Sequence, residues 1–256
     1  MKNKLFQLLG LNKGAGSFKA EINGDEVTLW IYDVIVNSDA TAEWWGGVSA
    51  ESLVKQLRSL TASTINIRIN SPGGDVFAAR AIEQAIRDHS ATVIAHVDGY
   101  AASAASLIAV AADKTIMAPG TFMMIHKAWT FAMGNADELF STAALLEKID
   151  GTIQQSYENK AGDKAKGQDF GALMAAETWF TPEEAIAAGL ADEIAATAPK
   201  AQAQPAWDMS AYDHAPQAQI TQIEEPEVSE ELEVPEPQAT AINHRARALR
   251  LVSKTA

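Results

Sequence analysis

The chain has 256 residues, of which 47% are hydrophobic, and it carries a formal net charge of −13 and no cysteine. This length and apolar content are enough for one sizeable core, so we expect one domain with a tail. The net negative charge argues against a nucleic-acid partner, because contacts with phosphates need clustered Lys and Arg. The lack of cysteine excludes disulfides and thiolate metal sites, which is compatible with a reducing cytoplasm.

Residues 1–18 form a separate N-terminal segment that begins MKNKLFQLLG. Its apolar stretch is only about seven residues long and no small-x-small cleavage site follows, which argues against a secretory signal peptide. We interpret the segment as an amphipathic helix of a cytoplasmic protein. The uncharged run at 99–112 is too short and too rich in alanine to span a bilayer, so we expect no membrane association.

Residues 19–195 are predicted to form the folded domain, because apolar periods of two and of about 3.6 alternate along them. In chain order, the strand VTLWIYDVI precedes the helix SAESLVKQLRSL, and the strand TINIRIN precedes the helix FAARAIEQAIRDH. The strand ATVIAHV then leads into the alanine-rich helix, and KTIMAP and FMMIH are short strands. Repeated strand–turn–helix units predict an α/β fold with right-handed crossovers and a mostly parallel sheet covered by helices.

Residues 196–256 lack this periodicity. An Ala-, Pro- and Gln-rich linker leads to seven glutamates between Glu224 and Glu236, and a basic segment at 242–254 follows. Such composition is typical of a flexible acidic tail. We expect it to be dispensable for folding, with a short basic C-terminal helix.

Two turns of the predicted sheet precede helices, namely SPGGD at 71–75 and DGYAAS at 98–103. Ligands of open α/β sheets bind beyond the carboxyl ends of the strands, and helix N-termini favour developing negative charge. Small neighbours would let Ser103 present its hydroxyl there. Ser103 could equally cap the helix, which is a common role of serine. Ser106, one helical turn later, is assigned to packing.

A nucleophilic serine needs a base, and the chain has five histidines. His214 and His244 fall in the tail, His89 ends a surface helix and His96 lies within a strand. His126 ends the strand TFMMIH, so it is predicted at the same sheet edge as Ser103, within reach of that serine. A histidine at such a position can also be purely structural.

Four motifs in order, INSPGGDV, GYAAS, MMIH and ETWFTPEEAIAAGLADEI, resemble the signatures of the ClpP-like serine peptidases. The resemblance runs from about residue 28 to residue 194 and implies the ClpP/crotonase-like spiral of βαβ units. It implies Ser103 as the nucleophile and His126 as the general base. It also implies the backbone amides of Gly74 and Ala104 as the oxyanion hole, with neither a cofactor nor a metal.

The third triad position departs from the family pattern. It lies twelve residues before the glycine of AAGL, where the cellular enzymes carry an aspartate and this chain carries Glu177. A glutamate can serve in such a triad if the backbone sits slightly farther from the histidine. Asp169 is the rival acid, and Glu177 could also be an ordinary exposed glutamate.

The resemblance also implies a projecting handle helix, which we place in residues 134–162 with an apolar stripe, and a ring-like homo-oligomer. Residues before Lys19 do not match the segment that binds an ATP-driven unfoldase in the cellular enzyme. The first predicted strand is instead followed by an insertion, NSDATAEWWGGVSAE, which contains Trp44 and Trp45. This layout looks like the phage prohead proteases of ClpP type, which cleave scaffold and capsid proteins during head maturation. Such an enzyme would act inside proheads in the host cytoplasm, without an unfoldase.

Two alternatives remain at this stage. The first is a bacterial ClpP-like or signal-peptide-peptidase-like protease; the latter relies on a serine–lysine pair, and Lys127 would alternate away from the site. The second is a non-catalytic shell or scaffold component with the same fold. Related α/β spirals that bind acyl-CoA lack the serine and the histidine. The presence of both residues therefore favours an enzyme over a non-catalytic component.

Overall fold

A computed structural model of the chain describes residues 4–13, 17–196 and 207–216. Its strands are β1 Ser17–Asn23, β2 Glu26–Tyr32, β3 Ile35–Val36, β4 Val48–Ser49, β5 Thr64–Ser71, β6 Thr92–Ala102, β7 Lys114–Met117, β8 Phe122–Ile125, β9 Thr178–Phe180 and β10 Glu193–Ile194. The α-helices are α1 Lys4–Leu11, α2 Asp39–Trp45, α3 Ala50–Ser59, α4 Val76–Arg87, α5 Ala104–Ala111, α6 Ala136–Ala161, α7 Phe170–Ala175 and α8 Pro182–Ala188.

The main sheet of the described residues has eight strands, with the central order β1-β2-β5-β6-β7-β10. The pairs β2–β5, β5–β6, β6–β7, β6–β8 and β7–β10 are parallel, and β1–β2 and β8–β9 are antiparallel. Strand β8 pairs with the carboxyl-terminal half of β6, beyond the end of β7. The predicted α/β fold with a mostly parallel sheet is confirmed.

The core lies between one face of this sheet and the helices α3, α4 and α5. Alternate residues of β2 and β5 are fully buried there, as the strict spacing of Ile65, Ile67 and Ile69 predicts. Helix α5 is buried along its whole length, because its alanines let it lie close to its neighbours. Burial of this apolar surface is the main source of stability of the fold.

Helix α6 has the position and length expected of the handle helix. It begins with a capping box, in which Asn135 and Glu138 bond each other's backbone amides. Its first half carries exposed apolar side chains, whereas Ile153 and Tyr157 of its second half are buried against the body. The predicted apolar stripe is therefore buried only where the helix reaches the core.

The expectation of a flexible segment from residue 196 onward is wrong for residues 207–216, which we call the strap. Trp207, Met209 and Tyr212 of the strap are each less than 9% exposed. They form a second apolar cluster with α1 and the sheet, whose other buried members are Leu8, Leu9, Val34, Val36, Ala102, Met124 and Ala211. These three side chains supply the apolar area that offsets the entropy of ordering the strap.

Polar contacts also tie the strap to the N-terminal helix. Asn12 donates to the carbonyl oxygen of Asp208 at 3.2 Å and accepts from its amide at 2.7 Å. The basic segment predicted to be a helix at 242–254 lies outside the described residues. None of the described helices combines the length and apolar character that a membrane span requires.

Candidate active site

Three chain segments meet where parallel strands β5, β6 and β8 end. The turn Pro72–Gly73–Gly74 follows β5, Ser103 follows β6 and His126 follows β8. Ser71 pairs with Ala101 and Ala102 pairs with Met124. The register thus brings these segments together at one edge of the sheet, as the sequence predicted.

Ser103 stands at the N-cap position of α5 without capping it through its side chain. Its backbone has φ 53° and ψ −123°, a conformation that non-glycine residues seldom adopt and that clusters at functional sites. Its amide donates to the carbonyl oxygen of Met124 at 2.9 Å, which fixes this turn to β8. The alternative of a capping serine therefore does not describe this hydroxyl.

The Ser103 hydroxyl lies instead against His126. The Oγ–Nε2 distance is 2.7 Å, and both residues are partly exposed to solvent. A hydroxyl within hydrogen-bonding reach of an imidazole can pass its proton to that ring as it attacks a carbonyl carbon. The pair thus has the geometry required of a nucleophile and its general base.

The glycine turn packs directly against Ser103. A Cβ atom on Gly73 would lie 2.6 Å from the carbonyl oxygen of Ala102 and 2.8 Å from the Ser103 Cβ. A Cβ on Gly74 would lie 2.1 Å from the carbonyl oxygen of Ile35, and Gly74 has φ 150°. Only glycine fits at either position, because the backbone is in close contact on one side and the conformation is left-handed.

An apolar cleft of about 310 Å³ opens beside these groups, at the lower end of the usual range for ligand pockets, about 300–1,000 Å³. Ser103, Ala104, His126 and Gly74 line one end of it. The rest is formed mainly by apolar side chains of α6 and of the loop before it, including Trp129, Phe131, Leu145, Leu146, Ile149 and Ile153. The cleft can therefore hold an apolar side chain of a ligand beside the Ser103 hydroxyl.

Glu177 is 9% exposed and has φ 50°. Its Oε1 accepts from the amide of His214 at 2.7 Å and from the Trp179 indole at 3.4 Å, and its Oε2 accepts from the amide of Asp213 at 3.2 Å. Glu177 is thus a buried, hydrogen-bonded carboxylate and not an ordinary exposed glutamate. Asp169, in contrast, is exposed and caps α7 by accepting from the amide of Ala172 at 2.9 Å.

Tyr212 of the strap is the residue near the site that sequence reasoning missed. Its ring packs edge-on to the His126 ring, with centroids 5.5 Å apart. Its hydroxyl donates to the carbonyl oxygen of Pro72. The signal that could have found it is the presence of Trp207, Met209 and Tyr212 in a linker otherwise made of small and polar residues.

Ser106 is buried as predicted, but it also supports the Ser103 backbone. Its hydroxyl donates to the carbonyl oxygen of Ser103 at 2.6 Å and bonds the Tyr157 hydroxyl of α6 at 2.8 Å. Burial raises the pKa of the Tyr157 phenol well above its ordinary value, so the phenol stays protonated. This pair links the handle helix to the turn that carries Ser103.

Residues 44–198 match the model of the Clp protease family, described as Clp protease. The chain belongs to the Clp protease family. A relative from Bacteroides fragilis, an ATP-dependent Clp protease proteolytic subunit, is 33% identical over 138 residues, which are 51% of this chain and 63% of that protein. A proteolytic subunit 2 from Treponema denticola is 34% identical over 156 residues, 57% of this chain and 75% of the relative.

The match to the Bacteroides fragilis subunit thus covers less than two thirds of that protein. Among solved structures, a ClpP1 mutant from Listeria monocytogenes aligns with 28% identity and a TM-score of 0.49, over 66% of this chain and 90% of the other. The family match includes Ser103, His126 and Glu177, and it ends before the strap begins.

We predict that Ser106→Ala lowers the free energy of unfolding by about 1–3 kcal/mol, because the Tyr157 hydroxyl stays buried without its partner. Adding Tyr157→Phe in the same chain should recover part of that loss, since removing both partners of a buried hydrogen bond is nearly neutral. Denaturant unfolding of the two single variants and the double variant measures the coupling. Fully additive losses would contradict the assignment of this pair.

Proposed function

We propose that this Clp protease family member is a serine endopeptidase in which Ser103 is the nucleophile and His126 the general base. The observation that carries the proposal is the 2.7 Å contact between Ser103 Oγ and His126 Nε2 at the end of adjacent parallel strands. In the proposed reaction His126 takes the Ser103 proton while Oγ attacks the peptide carbonyl carbon. His126 then returns that proton to the leaving amine, and water releases the acyl group in a second step.

The amides of Gly74 and Ala104 are the proposed donors to the oxyanion of the tetrahedral intermediate. Both residues line the cleft beside Ser103, and Ala104 is the first residue of α5. A helix N-terminus leaves its first amides without helical partners and favours negative charge. Loss of one such donor typically lowers the rate by about 10²–10³-fold.

Glu177 is the proposed acid that orients His126. Its burial and its fixed carboxylate favour it over Asp169, whose carboxylate is exposed and serves as a helix cap. An orienting carboxylate holds the imidazole in the tautomer that accepts the serine proton and stabilises the imidazolium that forms. The apolar cleft supports a preference for substrates with a large apolar side chain next to the scissile bond.

We further propose that the natural substrates are scaffold and capsid proteins processed during phage head maturation. The acidic segment at 224–236 and the basic segment at 242–254 support this setting, since oppositely charged segments can bind a charged scaffold. The alternative is a bacterial Clp-type proteolytic subunit, which the names of the relatives favour. The two settings differ in whether proteolysis depends on an ATP-driven unfoldase.

A non-catalytic shell or scaffold component with this fold is the third candidate. Three observations favour an enzyme over such a component. Ser103 contacts His126, Ser103 has a strained backbone conformation, and an apolar cleft lies beside it. A purely structural chain has no need to hold a serine at positive φ.

We predict that Ser103→Ala and His126→Ala each reduce peptidase activity to the level of background, a loss of roughly a millionfold, because nucleophile and base act as a unit. Cleavage of a fluorogenic peptide measures the loss, and circular dichroism checks that the fold is intact. Fluorophosphonate should label Ser103 in the parent chain and should label neither variant. Retention of more than a few per cent of activity by Ser103→Ala would refute the assignment.

For the acid, we predict that Glu177→Gln lowers turnover by roughly 10³–10⁴-fold, because the imidazole loses its orienting charge. Asp169→Asn is the matched control and should have little effect, since asparagine caps a helix about as well as aspartate. Steady-state kinetics of both variants with one peptide decides between them. The reverse ranking would move the orienting role to Asp169.

We also propose a ring-like homo-oligomer joined in part through the exposed half of α6. Leu139, Phe140 and Leu145 there are 45–75% exposed, and Phe131 and Met133 before the helix are exposed as well. Exposed apolar side chains grouped on one segment support an interface there. Light scattering should therefore give several times the monomer mass, and Phe140→Asp should lower it. A monodisperse monomer at working concentration would rule the ring out.

A further inference from the structure

The strap reaches the proposed active site from a part of the chain beyond the family match. Its Trp207 is 8% exposed and donates through the indole to Asn70 Oδ1 at 3.0 Å. Asn70 lies in β5, two residues before Pro72, and its Oδ1 also accepts from the amide of Tyr100 in β6. The strap is thus anchored on β5 and β6, two of the three strands that end at the site.

Tyr212 contacts two parts of the site at once. Its hydroxyl donates to the Pro72 carbonyl, and its ring packs edge-on to His126. Burial raises the pKa of the Tyr212 phenol well above its ordinary value, so the phenol stays protonated and can donate. These contacts join the turn that contains Gly74 to the base.

The next two residues of the strap hold the acid. The backbone amides of Asp213 and His214 donate to the two carboxylate oxygens of Glu177, at 3.2 and 2.7 Å. A buried carboxylate that lacks donors is costly, and each of these amides removes part of that cost. The position of the Glu177 carboxylate therefore depends on the strap.

We propose that the strap is an integral part of the active site, in which Tyr212 is a positioning residue and the amides of Asp213 and His214 fix Glu177. This inference rests on the proposed function of Ser103 and His126. Tyr212 reaches no substrate atom in this role. It acts by holding the turn that carries Gly74 and by restricting the His126 ring.

A strap that merely blocks the site is the competing interpretation. The described residues that line the apolar cleft all fall between Gly74 and Tyr157, and none belongs to the strap. The cleft beside Ser103 is thus open while the strap is docked. Release of the strap would also uncover the apolar cluster around Leu8 and Leu9, which opposes its use as a removable lid.

The test uses the full chain with two variants of the strap. Tyr212→Phe removes only the hydroxyl, and Trp207→Ala loosens the anchor without touching the site. Ser210→Ala is the control within the strap, since Ser210 is exposed, and Trp44→Ala is the control for loss of a tryptophan, since Trp44 is 76% exposed. The readouts are kcat and KM for a short peptide, the rate of fluorophosphonate labelling, and the pH profile of kcat/KM.

We expect Tyr212→Phe to lower kcat about tenfold with KM nearly unchanged, as for loss of one buried hydrogen bond that matters in the transition state. Trp207→Ala should lower kcat further. It should also move the pH limb of kcat/KM to lower pH, because the carboxylate of Glu177, the proposed orienting acid, is then no longer fixed beside the imidazolium. Labelling should slow in parallel, and both controls should match the parent chain.

Unchanged kinetics in Tyr212→Phe would overturn the inference, and so would a rise in activity in either variant, which would identify the strap as a block. If Trp207→Ala lowered kcat without moving the pH profile, the strap would have only a structural role, and the inference would also be overturned. Failure of the proposed function is distinguishable, because the parent chain would then show no labelling of Ser103. In that case the inference falls with it.

Discussion

The parallel register between β6 and the end of β8 is the constraint on which the site depends. The amide of Ser103 bonds the carbonyl of Met124, so the residue after β6 and the residue after β8 lie side by side. A shift of one residue would turn His126 to the opposite face of the sheet. On the other side of β6, the pairing of Ser71 with Ala101 sets the position of the glycine turn in the same way.

The many small residues around Ser103 follow from how closely these three segments approach. Gly73 leaves no room for a Cβ against the backbone at Ala102, and Ala101, Ala102, Ala104 and Ala105 are all less than 5% exposed. Larger side chains would separate the turn of β5 from the turn of β6 and move Gly74 away from Ser103. In this turn Ser103 has φ 53°, and its hydroxyl lies 2.7 Å from His126 Nε2.

The strap offers a physical reason why this chain has Glu177 where an aspartate is expected. Glu177 lies in a left-handed conformation just before β9, and the strap supplies amide donors to both of its oxygens. We infer that a longer acidic side chain is accommodated here because a second chain segment restrains it. The strap and the glutamate are therefore best regarded as one feature of the site.

The sequence by itself determined the local elements and the identities of the reacting groups. Strict alternation in TINIRIN and the helical spacing of the apolar residues in SAESLVKQLRSL predicted a strand and a helix, because a one-sided core imposes those periods. The turn motifs placed Ser103, His126 and Gly74 at strand ends, and family resemblance supplied their proposed roles. Only the tertiary structure decided which of these groups touch, since pairing register joins residues far apart in the chain. It alone showed that Ser106 supports the Ser103 backbone and that residues 207–216 return to Glu177. A few apolar anchors in a polar segment produce no periodic signal, and their burial depends on a surface built by α1, β3, β6 and β8.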